Sequence, residues 1–183
     1  MQKSSTRNIV FTGLFIALGI ILPYFTGHIQ AWGSALLPMH IPVLLAGFVC
    51  GWPYGLVTGL VTPFLSSFLT SMPPVPVALV MTFELAAYGF MAGLMYKILP
   101  KKNGSVYWAL IIAMLAGRVV WGLASLLITG LKGGAFTLQM FMAGGFINAW
   151  AGILIQLVII PVIIIALGRA GYMRDSGHRT HGV

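Results

Sequence analysis

The sequence predicts an all-α integral membrane protein, six transmembrane helices gathered in one compact bundle, and three observations predict it. The 183 residues are 59% hydrophobic and only 7% charged, more apolar surface than one water-soluble core of this size can hide. The apolar runs are long and recur along the whole chain. Ten lysines and arginines stand against two acids, and the cations fall between the apolar runs, as membrane topology requires, rather than on the basic face that phosphate contacts need. The lipid bilayer is therefore the expected surround, and nucleic acid is not an expected partner.

Apolar runs read against turn signals place the spans at about 8–26, 36–51, 53–71, 76–98, 105–130 and 138–168, in a single membrane domain over 1–183 with a polar tail at 169–183. The first span follows Lys3 and Arg7 as a signal peptide would, but its apolar run continues past any A-x-A-like cleavage site, so it reads as a retained helix. Only Gly51-Trp52-Pro53 separates the second span from the third. A re-entrant pair is the alternative to two crossings there, and Pro63 is expected to kink the third. Cys50 is the lone cysteine, which excludes an intramolecular disulfide.

Charge sets the orientation. With the N-terminus in the cytoplasm, Lys3, Arg7, Lys97, Lys101, Lys102, Arg169, Arg174 and Arg179 lie inside and only Lys132 lies in an outer loop, so both termini are expected to be cytoplasmic in a multi-pass cell-membrane protein. The outer loops at Thr26–Ala35, Ser71–Pro76 and Gly130–Thr137 then stand together, where they can close over a cavity.

Glu84 and Arg118 are the two ionisable residues deep inside predicted spans. An isolated charge at such depth costs at least about 2.5–3.5 kcal/mol. At about 1.5 Å per residue, Glu84 lies about 12 Å and Arg118 about 18 Å from the outer ends of their helices, so the two can meet across a helix interface. A structural ion pair and an aqueous ligand pocket satisfy the same desolvation requirement, and both readings stay open. Tyr88 lies one turn below Glu84, Trp121 one turn from Arg118, and Asn148 at a comparable depth in the sixth span. Each has a packing role as its alternative: an interhelical hydrogen bond for Asn148, and a packed or lipid-facing ring for Trp121. His40 and Trp32 lie in or beside the first outer loop, as walls or lid of such a pocket, with interfacial anchoring the alternative for Trp32. No metal site is expected, because His28 and His40 have no cysteine or carboxylate near them in sequence and His178 and His181 lie in the tail.

No catalytic set accompanies these residues. The chain has no G-x-S-x-G elbow, H-E-x-x-H pair or P-loop, and two acids cannot hold metal-bound phosphates, so neither an enzyme nor a bound cofactor is expected. Small residues four apart, Gly13/Ala17, Gly55/Gly59 and Gly89/Gly93, signal close helix approach and by themselves nothing more.

Four stretches carry a resemblance to a known family. They are Thr12-Gly13-Leu14-Phe15-Ile16-Ala17-Leu18-Gly19, the run Leu37-Pro38-Met39-His40-Ile41-Pro42 continuing to Phe48, Gly51-Trp52-Pro53-Tyr54-Gly55-Leu56-Val57-Thr58-Gly59, and Phe83-Glu84-Leu85-Ala86-Ala87-Tyr88-Gly89 with Ala92-Gly93-Leu94. In these, the chain resembles the substrate-binding S component of energy-coupling factor (ECF) vitamin transporters over about 8–168. The resemblance implies a compact six-helix S-component bundle with a vitamin-sized site near the outer surface. It also implies partners: a transmembrane coupling subunit and two cytoplasmic ATPases, which alone hydrolyse ATP. The family's A-x-x-x-A coupling contact maps onto Gly13 and Ala17, with glycine in place of the first alanine.

The expected function is therefore high-affinity binding of a water-soluble vitamin or related small molecule for an ATP-driven importer. Pantothenate, a pyridoxine-like compound, a folate, riboflavin and a queuine-like base are all open. A buried acid and base beside tyrosine, asparagine and tryptophan suit a polar ligand with an anionic or amphoteric head, which favours pantothenate or a pyridoxine-like compound. The alternative is a stand-alone ion-coupled secondary transporter or channel in which Glu84 carries a proton.

Overall fold

The structure, a computed structural model, describes residues 2–25, 35–100 and 104–170. Among the described residues every regular element is helical: α1 (Gln2–Phe25), α2 (His40–Cys50), α3 (Trp52–Thr70), α4 (Val75–Ile98), α5 (Ser105–Leu131), α6 (Leu138–Met142) running into a π-helical turn (Ala143–Ile147), and α7 (Trp150–Arg169). The all-α membrane architecture is as expected.

Among the described residues, four helices are long and apolar enough by themselves to cross a membrane, and the other two expected spans fall on shorter or less apolar helices. The four are Thr6–Tyr24 of α1 and the whole of α4, α5 and α7. The second expected span contains an α-helix of 11 residues. The third, α3, has 19 residues, but its serines, threonines, glycines and prolines dilute its apolar content, and it runs on through Pro63. The sixth expected span, 138–168, is not one helix. It is interrupted by the π turn, where the Asn148 N–H donates to the Ala143 carbonyl at 2.8 Å, one residue beyond α-helical spacing. Gly144 lies at this interruption because a methyl group there would stand 2.6 Å from the Trp121 ring of α5.

α4 packs against α2, α3 and α5. α1 lies on α2 and α3, and α7 closes the bundle against α2 and α5. The link between α2 and α3 is Gly51, whose φ of 97° is open to glycine and strained for other residues. Its N–H closes α2 on the Gly47 carbonyl and its own carbonyl opens α3 by accepting from Gly55 N–H, both at 3.0 Å. Pro53 then stands in the first turn of α3, where no helical N–H is needed.

The glycine pairs seen in the sequence face one another. A methyl on Gly55 would strike the Gly89 carbonyl and stand 2.7 Å from the Gly47 Cα, one on Gly89 would stand 2.9 Å from the Gly55 Cα, and one on Gly59 would strike the Leu85 carbonyl. Backbone therefore lies on backbone where α2, α3 and α4 meet, and the attraction there is van der Waals contact unshielded by side chains.

The buried threonines satisfy themselves locally. Thr12, Thr58, Thr62 and Thr82 each donate to the carbonyl four residues earlier at 2.6–2.8 Å, a bond that needs no partner helix. The outer surface is apolar instead, with Phe68 85% and Leu131 88% exposed. Polar inside and apolar outside is the arrangement lipid demands.

Overpacking of this kind costs about 1–3 kcal/mol, so Gly89→Val should lower the thermal melting temperature of the detergent-solubilised protein. Gly13, where an added methyl meets nothing within 4 Å, should accept alanine with no loss or a small gain, since alanine is the better helix former. Equal destabilisation by the two would contradict the backbone contact.

Candidate functional site

α4 carries Glu84 and Tyr88 one turn apart and therefore on one face. Both point inward, at 2% and 0% exposure. Arg118 of α5 is equally buried, and its Nη1 donates to Glu84 Oε1 at 2.9 Å. The two ionisable residues that the sequence placed at depth thus meet, and each neutralises the other where neither is tolerated alone.

His40 joins them from a third helix. It is the first residue of α2, buried, with Nε2 3.4 Å from the same Glu84 oxygen. That is ion-pair distance without hydrogen-bond alignment, since Nε2 has no hydrogen-bond partner among the described residues. The His40 ring stands edge-on to Tyr88, with centroids 5.2 Å apart at 83°. His40 is therefore part of the buried cluster itself, whereas the sequence suggested a wall or lid near the first outer loop. On the α5 side the Tyr88 ring covers Gly117, where a methyl would stand 2.5 Å from ring carbons.

The π turn covers the next stretch of α5. A methyl on Gly145 would lie 3.7 Å from the Trp121 ring and 3.9 Å from Arg118 Cδ. Trp121 is half-buried among Phe136 and Phe141, at centroid distances of 5.9 and 6.1 Å. It walls the cluster on the side of Arg118 as part of an aromatic group.

Asn148 is placed differently. It caps the π turn through its backbone and is exposed, and no side-chain hydrogen bond joins it to Glu84 or Arg118 among the described residues. The sequence counted its depth along an unbroken helix, and the π turn removes that register. Trp32 lies outside the described residues. Gly13 and Ala17 are exposed together on one face of α1.

Hydrogen bonding sets the cluster apart from the rest of the interior. Of the buried side-chain polar atoms with no hydrogen-bond partner among the described residues, all but Arg7 Nε belong to His40, Tyr88, Arg118 and Gln156. Each such group costs about 1–3 kcal/mol when left unsatisfied. Gln156 of α7 is not among the residues that the sequence singled out, because it carries no charge. The available signal was a lone amide within the apolar run Ile153-Leu154-Ile155-Gln156-Leu157-Val158.

Three helices thus bring a carboxylate, a guanidinium, an imidazole and a phenol together in a buried position, with donors and acceptors in excess of those they spend on one another. Such convergence of polar groups in an apolar setting is how proteins orient a small polar molecule. No curated protein and no solved structure matches the chain. The family described as "ECF transporter, substrate-specific component" matches residues 7–164, a stretch that contains most of α1, the whole of α2 to α6 with the buried cluster, and most of α7. On that match the chain belongs to the substrate-specific components of ECF transporters, the multi-pass membrane subunits that bind substrate for an importer completed by transmembrane and ATPase partners.

Proposed function

We propose that the cluster of His40, Glu84, Tyr88 and Arg118 is the substrate site, and that its substrate is a water-soluble vitamin or a close relative, with pantothenate and pyridoxine-like compounds favoured. The observation that carries this reading is the concentration of unpaired buried polar atoms at one ion pair. A purely structural pair would need only its two members. Here the neighbouring phenol and imidazole also present polar atoms that nothing in the described protein satisfies, and a polar ligand would supply what they lack. Trp121 serves as a side wall.

The proposed orientation has both termini in the cytoplasm, since the positive-inside rule puts eight of the cations on that side. On the same reading, the exposed Gly13/Ala17 stripe of α1 is the surface that meets the transmembrane coupling subunit. Two small residues a turn apart let a partner helix approach without a side-chain barrier. Two cytoplasmic ATPases complete the importer and supply its energy.

The first experiment is to purify the chain alone in mild detergent, identify any co-purifying small molecule by mass spectrometry, and titrate that compound while following tryptophan fluorescence. A one-to-one vitamin complex is expected. Uptake that instead follows a proton gradient without ATPase partners would point to an ion-coupled carrier. Glu84→Gln or Arg118→Met alone leaves one buried charge unpaired, at a cost of about 3–5 kcal/mol, so each single variant should melt well below the wild type. The double variant, which buries no charge, should recover much of that stability and still fail to bind. Recovered binding in the double variant would make the pair structural only.

Coupling is tested separately. Ala17→Trp should retain ligand affinity while uptake by the assembled transporter falls to background, because a bulky side chain holds the partner helix off. Loss of affinity together with uptake would remove the α1 stripe from the coupling surface.

A further inference from the structure

Arg118 uses one corner of its guanidinium on Glu84, the Nη1 corner. Nε and Nη2 are buried and have no hydrogen-bond partner among the described residues. By covalent geometry these two atoms form the opposite flank of the same planar group, with two parallel N–H bonds spaced as the two oxygens of a carboxylate are. The side chain therefore holds its internal partner with one corner and keeps its best anion-recognising edge for something else. A dianionic phosphate suits the position poorly, because it would bring two negative charges beside Glu84 against a single guanidinium. A carboxylate brings one.

A second unsatisfied group lies on α7, the helix that packs against both α2 and α5. Gln156 of α7 is fully buried, and neither end of its amide has a hydrogen-bond partner among the described residues. One turn before it, Gly152 backs onto the chain leading into α2, with a methyl there 2.8 Å from the Ala35 and Leu36 carbonyl oxygens. One turn after it, Ile160 shares the core with Leu44 of α2. α2 and α5 carry His40 and Arg118, and Gln156 lies on α7 between Gly152 and Ile160, both buried in the bundle.

From these two observations we infer that the chain selects a carboxylate-bearing substrate. The carboxylate lies on the Nε–Nη2 edge of Arg118, and Gln156 hydrogen-bonds a neutral amide or hydroxyl group of the same molecule. The inference rests on the proposal that the cluster is the substrate site. It narrows that proposal, since a carboxylate is present in pantothenate and absent from pyridoxine.

The test uses acids paired with neutral counterparts of nearly the same shape: pantothenate with panthenol, nicotinate with nicotinamide, and biotin with biotinamide. Pyridoxine and pyridoxal 5′-phosphate complete the set. Each is titrated by calorimetry into the full chain in lipid nanodiscs. At least one acid should bind about 100-fold more tightly than its neutral counterpart, the ratio expected for losing a charge-assisted bidentate contact. Arg118→Lys keeps the positive charge for Glu84 but has no second edge, and should reduce that ratio to about fivefold or less. Gln156→Met, of similar length and without hydrogen-bonding ends, should weaken an acid and its neutral counterpart by a similar factor of about 10. The acid-to-neutral ratio in the wild-type chain needs no variant to fold. Equal binding of acid and neutral counterpart, preference for pyridoxine or its phosphate, or an undiminished ratio in Arg118→Lys would overturn the carboxylate assignment while leaving a substrate-binding subunit. Failure of every compound to bind the folded chain would overturn both.

Discussion

A carboxylate and a guanidinium cannot stand in the hydrocarbon interior of a membrane protein unless each has the other, and the contact between Glu84 and Arg118 at 2.9 Å governs much of what surrounds it. It fixes the rotation of α4 against α5, because turning either helix by a residue would expose one charge to lipid. It also brings in α2, whose first residue, His40, ends beside the same carboxylate oxygen. A helix N-terminus carries partial positive charge, so beginning α2 at this point adds a favourable field to the only acid among the described residues.

The glycine contacts and the charged cluster are two faces of one helix. On α4, Glu84 and Tyr88 turn toward α5, and Leu85, Gly89 and Gly93 turn toward α2 and α3. Close backbone approach on one face leaves α4 little freedom to shift, and that rigidity is transmitted to Glu84 and Tyr88 on the other. Polar groups held in place before a ligand arrives lose little entropy when it binds. With the cluster as the proposed substrate site, the stiffness of the glycine face contributes to recognition without touching a ligand.

Much of this was legible because membranes attach a high cost to particular residue types. Glu84 and Arg118 stood out as charges where none are tolerated, and the Gly55/Gly59 and Gly89/Gly93 spacings marked the close interface. What stayed hidden depended on register and on the path of the backbone. Asn148 looked deep only along an unbroken helix, and the π turn at Ala143–Ile147 comes from packing between Gly144 and Trp121 rather than from a local breaker of proline strength. His40 reads as a wall or lid in or beside the first outer loop, because an apolar run that begins at Leu36 does not show that the helix itself starts at His40. Gln156 carries no charge and so does not stand out among ionisable groups, although an amide in that setting is held to the same hydrogen-bonding demand.

The shortness of α2 reaches into how the protein is made. Its 11 residues rise about 16 Å, roughly half the thickness of a bilayer's hydrocarbon core, and ten of them are buried by the rest of the chain. Such a segment has neither the length to anchor itself across the membrane nor a lipid-facing surface of its own. During synthesis it emerges before α4 and α7, the helices that cover it, so it must wait in the membrane beside α1 and α3 with its polar first residue unshielded. The burden of an altered α4 or α7 then falls first on assembly, and cellular quality control meets the damaged chain before any substrate does.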